Sequence, residues 1–281
     1  MTMSDTSEAS SSNAQREEGL TWRLAARRAL HAPGLLPAAT FVLVLLVWEA
    51  SCRLFEIPTF VLPAPSRILG GFDSIAVARW IDHVWATLRV ALIGYIASIA
   101  IALPIAVLLA RSEILSRAIY PILVVVQSTP VVAVAPIIIV ALGSGDLPRV
   151  VITCLITFFP LVVSTTTGLM ATPPELIELS RSLRAPVNRE ITQIRFPYAV
   201  PYIFSALRIS VTLAVIGAVV AEFVAADKGI GYFIQFSTSM FQVQQAWAGL
   251  VVLVLLSLIL FQIVTLAQRI WFPWSLPKER T

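Results

Sequence analysis

Charge is what this chain has least of. Only 13% of its 281 residues are Asp, Glu, Lys or Arg, where soluble domains carry about 25%. Lysine nearly vanishes, leaving Lys228 and Lys278. Neither stands in a G-x-x-x-x-G-K-[S/T] run, so no phosphate-binding loop exists and the chain is not an ATPase. The two histidines, His31 and His83, are far apart on the flanks of apolar blocks and read as surface or interfacial residues. Neither lies where it could activate a serine, so an intramembrane hydrolase is excluded and no catalytic residue is expected. Cys52 and Cys154 both lie in apolar blocks, which gives neither a disulfide framework nor metal-ligand spacing. No cofactor is implied. No signal peptide is expected either, because the first apolar block begins about 34 residues in and is too long for an h-region.

What is present is apolar. Hydrophobic residues make up 58% of the chain and the mean hydropathy is +0.86, against about 45–50% apolar residues in soluble domains. The fold class that follows is an all-α integral membrane protein with about six transmembrane helices, near 35–54, 87–110, 118–142, 149–170, 202–226 and 247–266. Residues 1–34 read as a polar, disordered tail ending in a short basic interfacial helix. Residues 35–85 hold the first span and an external connector, 86–270 the core of the remaining spans, and 271–281 a basic tail. With the N-terminus inside, 14 of the 20 basic residues fall on the inner side. The positive-inside rule then places both termini in the cytoplasm of a multi-pass cell-membrane protein. The net charge of +4 sits at helix ends and signals topology and lipid contact, not nucleic-acid binding.

Polar residues inside the spans are few enough to single out. Glu49 and Arg53 are four apart and can pair on one helix face. Gln127, Ser128 and Thr129 interrupt the third span just before Pro130, and Thr165, Thr166 and Thr167 lie on the fourth. Such groups face a bundle interior or a wet cavity, or make ordinary interhelical hydrogen bonds. The first three are the leading candidates for a translocation path. Glu222, near the end of the fifth span, either faces that path or pairs with Arg149 or Lys228, and a structural or gating role is the favoured reading.

The polar island 175–197, ELIELSRSLRAPVNREITQIRFP, stands between two long apolar blocks and carries four arginines and three glutamates. Leu176, Leu179 and Leu183 recur at helical spacing and form one stripe, with Glu178 and Arg181 on the opposite face. Pro186 breaks the run, Asn188 reads as the cap of a second helix, and Pro197 as its end.

The island resembles the cytoplasmic coupling loop, the EAA motif, of binding-protein-dependent ABC importer permeases. Glu178-Leu179-Ser180 stands for E-A-A and Ile194-Arg195-Phe196-Pro197 for I-x-L-P at the family spacing, with Arg184 at the family's glycine position. Three further stretches share the likeness: Leu62-Pro63-Ala64-Pro65-Ser66-Arg67, Gln127-Ser128-Thr129-Pro130, and Val219-Val220-Ala221-Glu222-Phe223 with Gly229-x-Gly231-Tyr232. The last two glycines are not a phosphate loop, since no strand precedes them.

The resemblance implies a type I permease architecture in the nitrate, sulfonate, taurine and thiamine-precursor branch. It also implies a homodimer of permeases, a separate cytoplasmic ATPase and an extracytoplasmic substrate-binding protein. Glu178, Leu179, Ser180, Arg181, Leu183, Arg184, Ala185 and Pro197 would meet the ATPase. The expected solute is a small anion of sulfonate, nitrate or taurine type, for which Arg67, Arg79 and Arg89 are compatible; a thiamine-precursor or riboflavin-like solute is the alternative. An ion-coupled secondary transporter is the competing class, and it predicts mid-membrane charges and an internal repeat that the sequence does not display.

Overall fold

The computed structural model describes residues 35–276. The expected disordered tail, the basic helix near 20–31 and the last five residues lie outside the described residues. The chain divides after Arg67 into two compact units.

In the first unit, α1 (Leu35–Leu54) is the expected span. Glu49 pairs with Arg53 at 2.6 Å and also accepts the Ser66 backbone N–H at 3.0 Å and hydroxyl at 2.7 Å. Three donors thus converge on a carboxylate that a hydrocarbon setting would penalise if left bare. The Leu-Pro-Ala-Pro-Ser-Arg stretch leads into a short helix, α2 (Pro65–Gly70).

In the second unit, α3 (Val77–Arg111) starts ten residues earlier than the hydropathy suggested. The third expected span is not one rod. It is α4 (Glu113–Gln127) and α5 (Val131–Leu142), bent by 90° at the Ser128–Pro130 break. The cause is local: Pro130 has no N–H to extend α4 and biases Thr129 away from helical geometry. α6 (Asp146–Met170) follows, then the island helices described below, then α9 (Phe196–Ala225). The stretch 227–245 is not a plain loop, since it contains helix α10 (Ile230–Ser239). α11 (Val243–Trp271) completes the set. Five helices are long and apolar enough to cross a membrane, or six with the bent pair counted as one. All regular structure among the described residues is helical.

α6 packs between α3 and α9. The contacts are made by small side chains: Ala102 and Ala206 with Leu161 and Val162 in one cluster, Ala106, Ala110 and Ala199 with Leu169 in another. In lipid, helices gain little from burying apolar surface, and close approach with interhelical hydrogen bonds takes over. The Tyr95 hydroxyl donates to the Leu207 carbonyl at 3.0 Å, and Ser210 donates to the Thr157 carbonyl at 3.3 Å. α6 comes close to both neighbours at Thr153. A Cβ on Gly94 would stand 2.6 Å from the Thr153 Cβ, and one on Gly217 would stand 2.9 Å from its Cα. Both glycines are spacers that let three helices meet. Gly94→Ala is therefore expected to destabilise the purified protein by about 1–3 kcal/mol, seen as a lower melting temperature. Gly70→Ala, with nothing within 4 Å of the added carbon, serves as the unaffected comparison.

Candidate functional site

The island folds as two limbs around a tight turn. α7 (Pro174–Ser182) begins after Pro173, carries Glu175 in its first turn and Arg181 in its last, and so suits the helix dipole at both ends. Its end is a Schellman motif. The Ala185 N–H reaches back to the Ser180 carbonyl at 3.0 Å and the Arg184 N–H to the Arg181 carbonyl at 2.9 Å. That motif needs a left-handed residue, and Arg184 supplies it with φ of 53°. The turn usually made by glycine forms here with a side chain that disfavours it by about 1 kcal/mol.

The second limb differs from the sequence expectation in two ways. Pro186, not Asn188, is the N-cap of α8 (Val187–Glu190); Asn188 instead accepts a hydrogen bond from Arg111 at 2.7 Å. Nor does Pro197 end the helix. Residues 191–195 widen into a π turn in which the Phe196 N–H bonds to the Ile191 carbonyl, and the helix runs on unbroken into α9. The wide turn removes the clash between the proline ring and the carbonyl four residues back. Within this limb Arg195 pairs with the buried Glu190 at 2.7 Å and reaches the Ala110 carbonyl at 3.5 Å. The end of α3 is thus tied to the island by Ala110 and Arg111.

Between the limbs lies a cleft of about 300 Å³, walled by Leu176, Leu179, Leu183 and Ile194 and rimmed by Arg184 and Arg189. Leu179 is 56% and Leu183 73% exposed, so the stripe expected to face a partner is bare on this chain. Ser180 and Ala185 also line the cleft, while Glu178 and Arg181 stand exposed on the flank and Pro197 is half-buried at the start of α9. Ser180 is 3% exposed, and its hydroxyl has no hydrogen-bond partner.

The path candidates separate. Gln127, Ser128 and Thr129 are exposed at the bend between α4 and α5, with the Ser128 hydroxyl donating to the Val124 carbonyl at 3.0 Å. Glu222 does not share that exposure: only 1% of it is accessible. Its hydrogen-bonding partner is neither Arg149 nor Lys228. Arg149 pairs with Asp146 at 3.0 Å and donates to the Gly145 carbonyl, and Asp146 also pairs with Arg89. Glu222 instead accepts the Gly231 N–H at 2.7 Å, placing a carboxylate at the N-terminus of α10, where the helix dipole favours it.

Thr87, which the sequence left unassigned, and His83, which it read as a surface or interfacial residue, complete this latch. Thr87 accepts the Ile230 N–H at 2.8 Å and His83 accepts the Gly229 N–H at 3.2 Å. Three consecutive N–H groups are thus held by two residues of α3 and one of α9. The signal was their spacing: His83 and Thr87 are four apart on one helix face. Gly229 has φ of 125° and ψ of 161°, a region open essentially to glycine alone, and an added carbon there would collide with the Glu222 carboxylate.

Residues 102–274 match the family described as binding-protein-dependent transport system inner membrane component. The formylaminopyrimidine transport permease protein ThiX of Halalkalibacterium halodurans is 33% identical over 85% of this chain and 96% of its own. The riboflavin transport system permease protein RibX of Chloroflexus aurantiacus is 33% identical over 86% of this chain and 91% of its own. Less similar relatives, 25% and 27% identical, are named for aliphatic sulfonates and nitrate. Among solved structures, an inward-facing MetNI methionine ABC transporter chain superposes with a TM-score of 0.61 at 22% identity, covering 69% of this chain and 96% of that one. The likeness extends to fold alone.

Two stability outcomes follow from the geometry. Arg184→Gly is expected to stabilise by about 1 kcal/mol through relief of the left-handed turn, read as a higher melting temperature. Gly229→Ala is expected to destabilise by about 3 kcal/mol, and by more than Gly231→Ala, in the same measurement.

Proposed function

Since this chain belongs to the family of binding-protein-dependent transport system inner membrane components, the permeases of ABC importers, we propose that its island is the surface on which a separate ATPase docks. The observation that carries this is the bare leucine stripe in an arginine-rimmed cleft. An apolar helix face in a groove gives affinity, and charges on the rim fix register and partner choice. The chain has no phosphate-binding loop, so ATP must be hydrolysed by another subunit.

The route from docking to transport runs through the covalent and ionic continuity of the second limb. Movement of the island is passed to α9, which is the same helix, and to α3 through Arg195, Ala110, Arg111 and Asn188. At the other ends of α3 and α9, His83, Thr87 and Glu222 clamp the start of α10. The α3–α6–α9 core then turns as one body, and a homodimer of such bodies alternates its central cavity between the two faces. Both termini and the island lie in the cytoplasm, and an external binding protein delivers the solute.

For the solute we favour a nitrogen heterocycle of pyrimidine or flavin type over a small sulfonate, nitrate or taurine-like anion. Two relatives at a third identity carry such solutes in their names. Of the three arginines compatible with an anion, Arg89 is engaged by Asp146. Leu183→Glu tests the docking reading. Its side chain is 73% exposed, so the permease is expected to fold and melt as wild type while co-purification of the ATPase and ATP-driven uptake are lost. Retained co-purification would sink the docking assignment. Competition between riboflavin and taurine for uptake tests the solute class.

A further inference from the structure

Three acceptors hold the head of α10, and they respond differently to acid. The Thr87 hydroxyl, which takes the Ile230 N–H at 2.8 Å, does not titrate near neutral pH. Glu222, which takes the Gly231 N–H at 2.7 Å, keeps an oxygen to accept with even when it carries a proton. His83 takes the Gly229 N–H on Nδ1 at 3.2 Å. A ring nitrogen accepts only while it bears no hydrogen, so this bond requires a neutral imidazole protonated on Nε2. Protonation turns the acceptor into a second donor and sets two N–H groups against each other.

The position makes that loss count. Gly229 is the N-cap of α10, at φ of 125° and ψ of 161°, a conformation that persists only where its surroundings hold it. An imidazolium there also faces the positive end of the α10 dipole. The ring is packed, with centroids 6.3 Å from Tyr232 and 5.5 Å from Phe233, yet it is only half-buried, so protons reach it. Lys228 beside Gly229 and Arg79 on α3 oppose a positive charge on the ring, while Asp82 favours one. On α9, Glu222 stands against Gly229.

We propose that His83 is an acid-sensitive release for the head of α10: acidification of the face opposite the island frees the Gly229 N–H and slows transport. The fold uses the neutral ring. Its contribution is therefore present at neutral and alkaline pH, and is lost as pH falls through the range in which histidine takes up its proton, about pH 8 to 5. The effect on transport rests on the importer reading above, in which α3 and α9 move together and the latch closes their far ends.

The test compares wild-type permease with His83→Asn in phosphatidylcholine nanodiscs at about pH 8 and about pH 5. The Asn Oδ1 keeps an acceptor where Nδ1 stood but takes no proton. Carboxylates titrate alike in both proteins, and His31, the chain's other histidine, is retained. On acidification the wild-type melting temperature is expected to fall by about 2–4 °C more than that of the variant. Hydrogen-exchange protection of residues 229–232, taken relative to intrinsic rates at each pH, is expected to fall roughly fivefold more. His83→Phe, which keeps a ring in place but never accepts, is expected to show the low protection at both pH values. An equal acid response in wild type and His83→Asn overturns the proposal, as does wild-type protection in His83→Phe at about pH 8. In proteoliposomes carrying the full complex, acid in the medium facing the latch is expected to slow riboflavin uptake several-fold more in wild type than in His83→Asn. Equal slowing overturns the effect on transport. Absence of ATP-driven uptake at every pH instead counts against the importer reading with riboflavin as cargo, and leaves the release, measured on the permease alone, in place.

Discussion

The structure depends on how closely α6 approaches its two neighbours at Thr153. Gly94 on α3 and Gly217 on α9 leave no room there for another side chain. In water, three apolar helices would be pressed together by burial of their surfaces. In hydrocarbon that force is nearly absent, and backbone proximity, dispersion and a few hydrogen bonds must supply the cohesion. Alanines at 102, 106, 110, 199 and 206 continue the same closeness along the helices toward the island.

Both ends of that core are closed by polar chemistry of different kinds. At the island, a buried ion pair between Glu190 and Arg195 and the reach of Arg195 to the Ala110 carbonyl join α3 to the start of α9. Breaking such a pair leaves a buried charge uncompensated, which costs more than the pair contributes. At the far end, three side chains hold three backbone N–H groups at the head of α10. The Glu222 carboxylate accepts the Gly231 N–H there, where the dipole of α10 favours it. That arrangement explains why two glycines follow it: each must let the backbone pass within contact distance of the carboxylate.

Proline gives this membrane core its departures from straight rods, and each is resolved differently. Pro130 divides a span into two helices at right angles. Pro197 is absorbed by a π turn without interrupting the helix. The difference lies in what precedes each. Before Pro130 the chain offers Gln127, Ser128 and Thr129, small or polar residues able to satisfy freed backbone groups. Before Pro197 it offers the buried Ile191, whose carbonyl accepts the Phe196 N–H in the π turn.

Much of the fold was legible in composition. Long apolar blocks with so little charge require helices, since every backbone polar group in a bilayer must be satisfied within its own segment, and arginine placement sets the expected orientation. The first limb of the island was legible as well, because the spacing of three leucines and the break at Pro186 are local properties of the chain, whereas the helix end expected at Pro197 was not found. The partners of polar side chains were not. Arg149 and Lys228 were the nearest cations to Glu222 by sequence logic, yet its hydrogen bond comes from a turn nine residues on. His83 and Thr87 gained meaning only when α3 came beside α10. Whether Asn188 caps its own helix or receives Arg111 was likewise settled between elements. The sequence by itself determined where the long apolar helices lie and the leucine stripe of the island, because hydropathy and periodicity act on neighbouring residues. Only the tertiary structure decided which donor meets which acceptor, because those pairings join residues up to 146 positions apart and come about only when helices have packed.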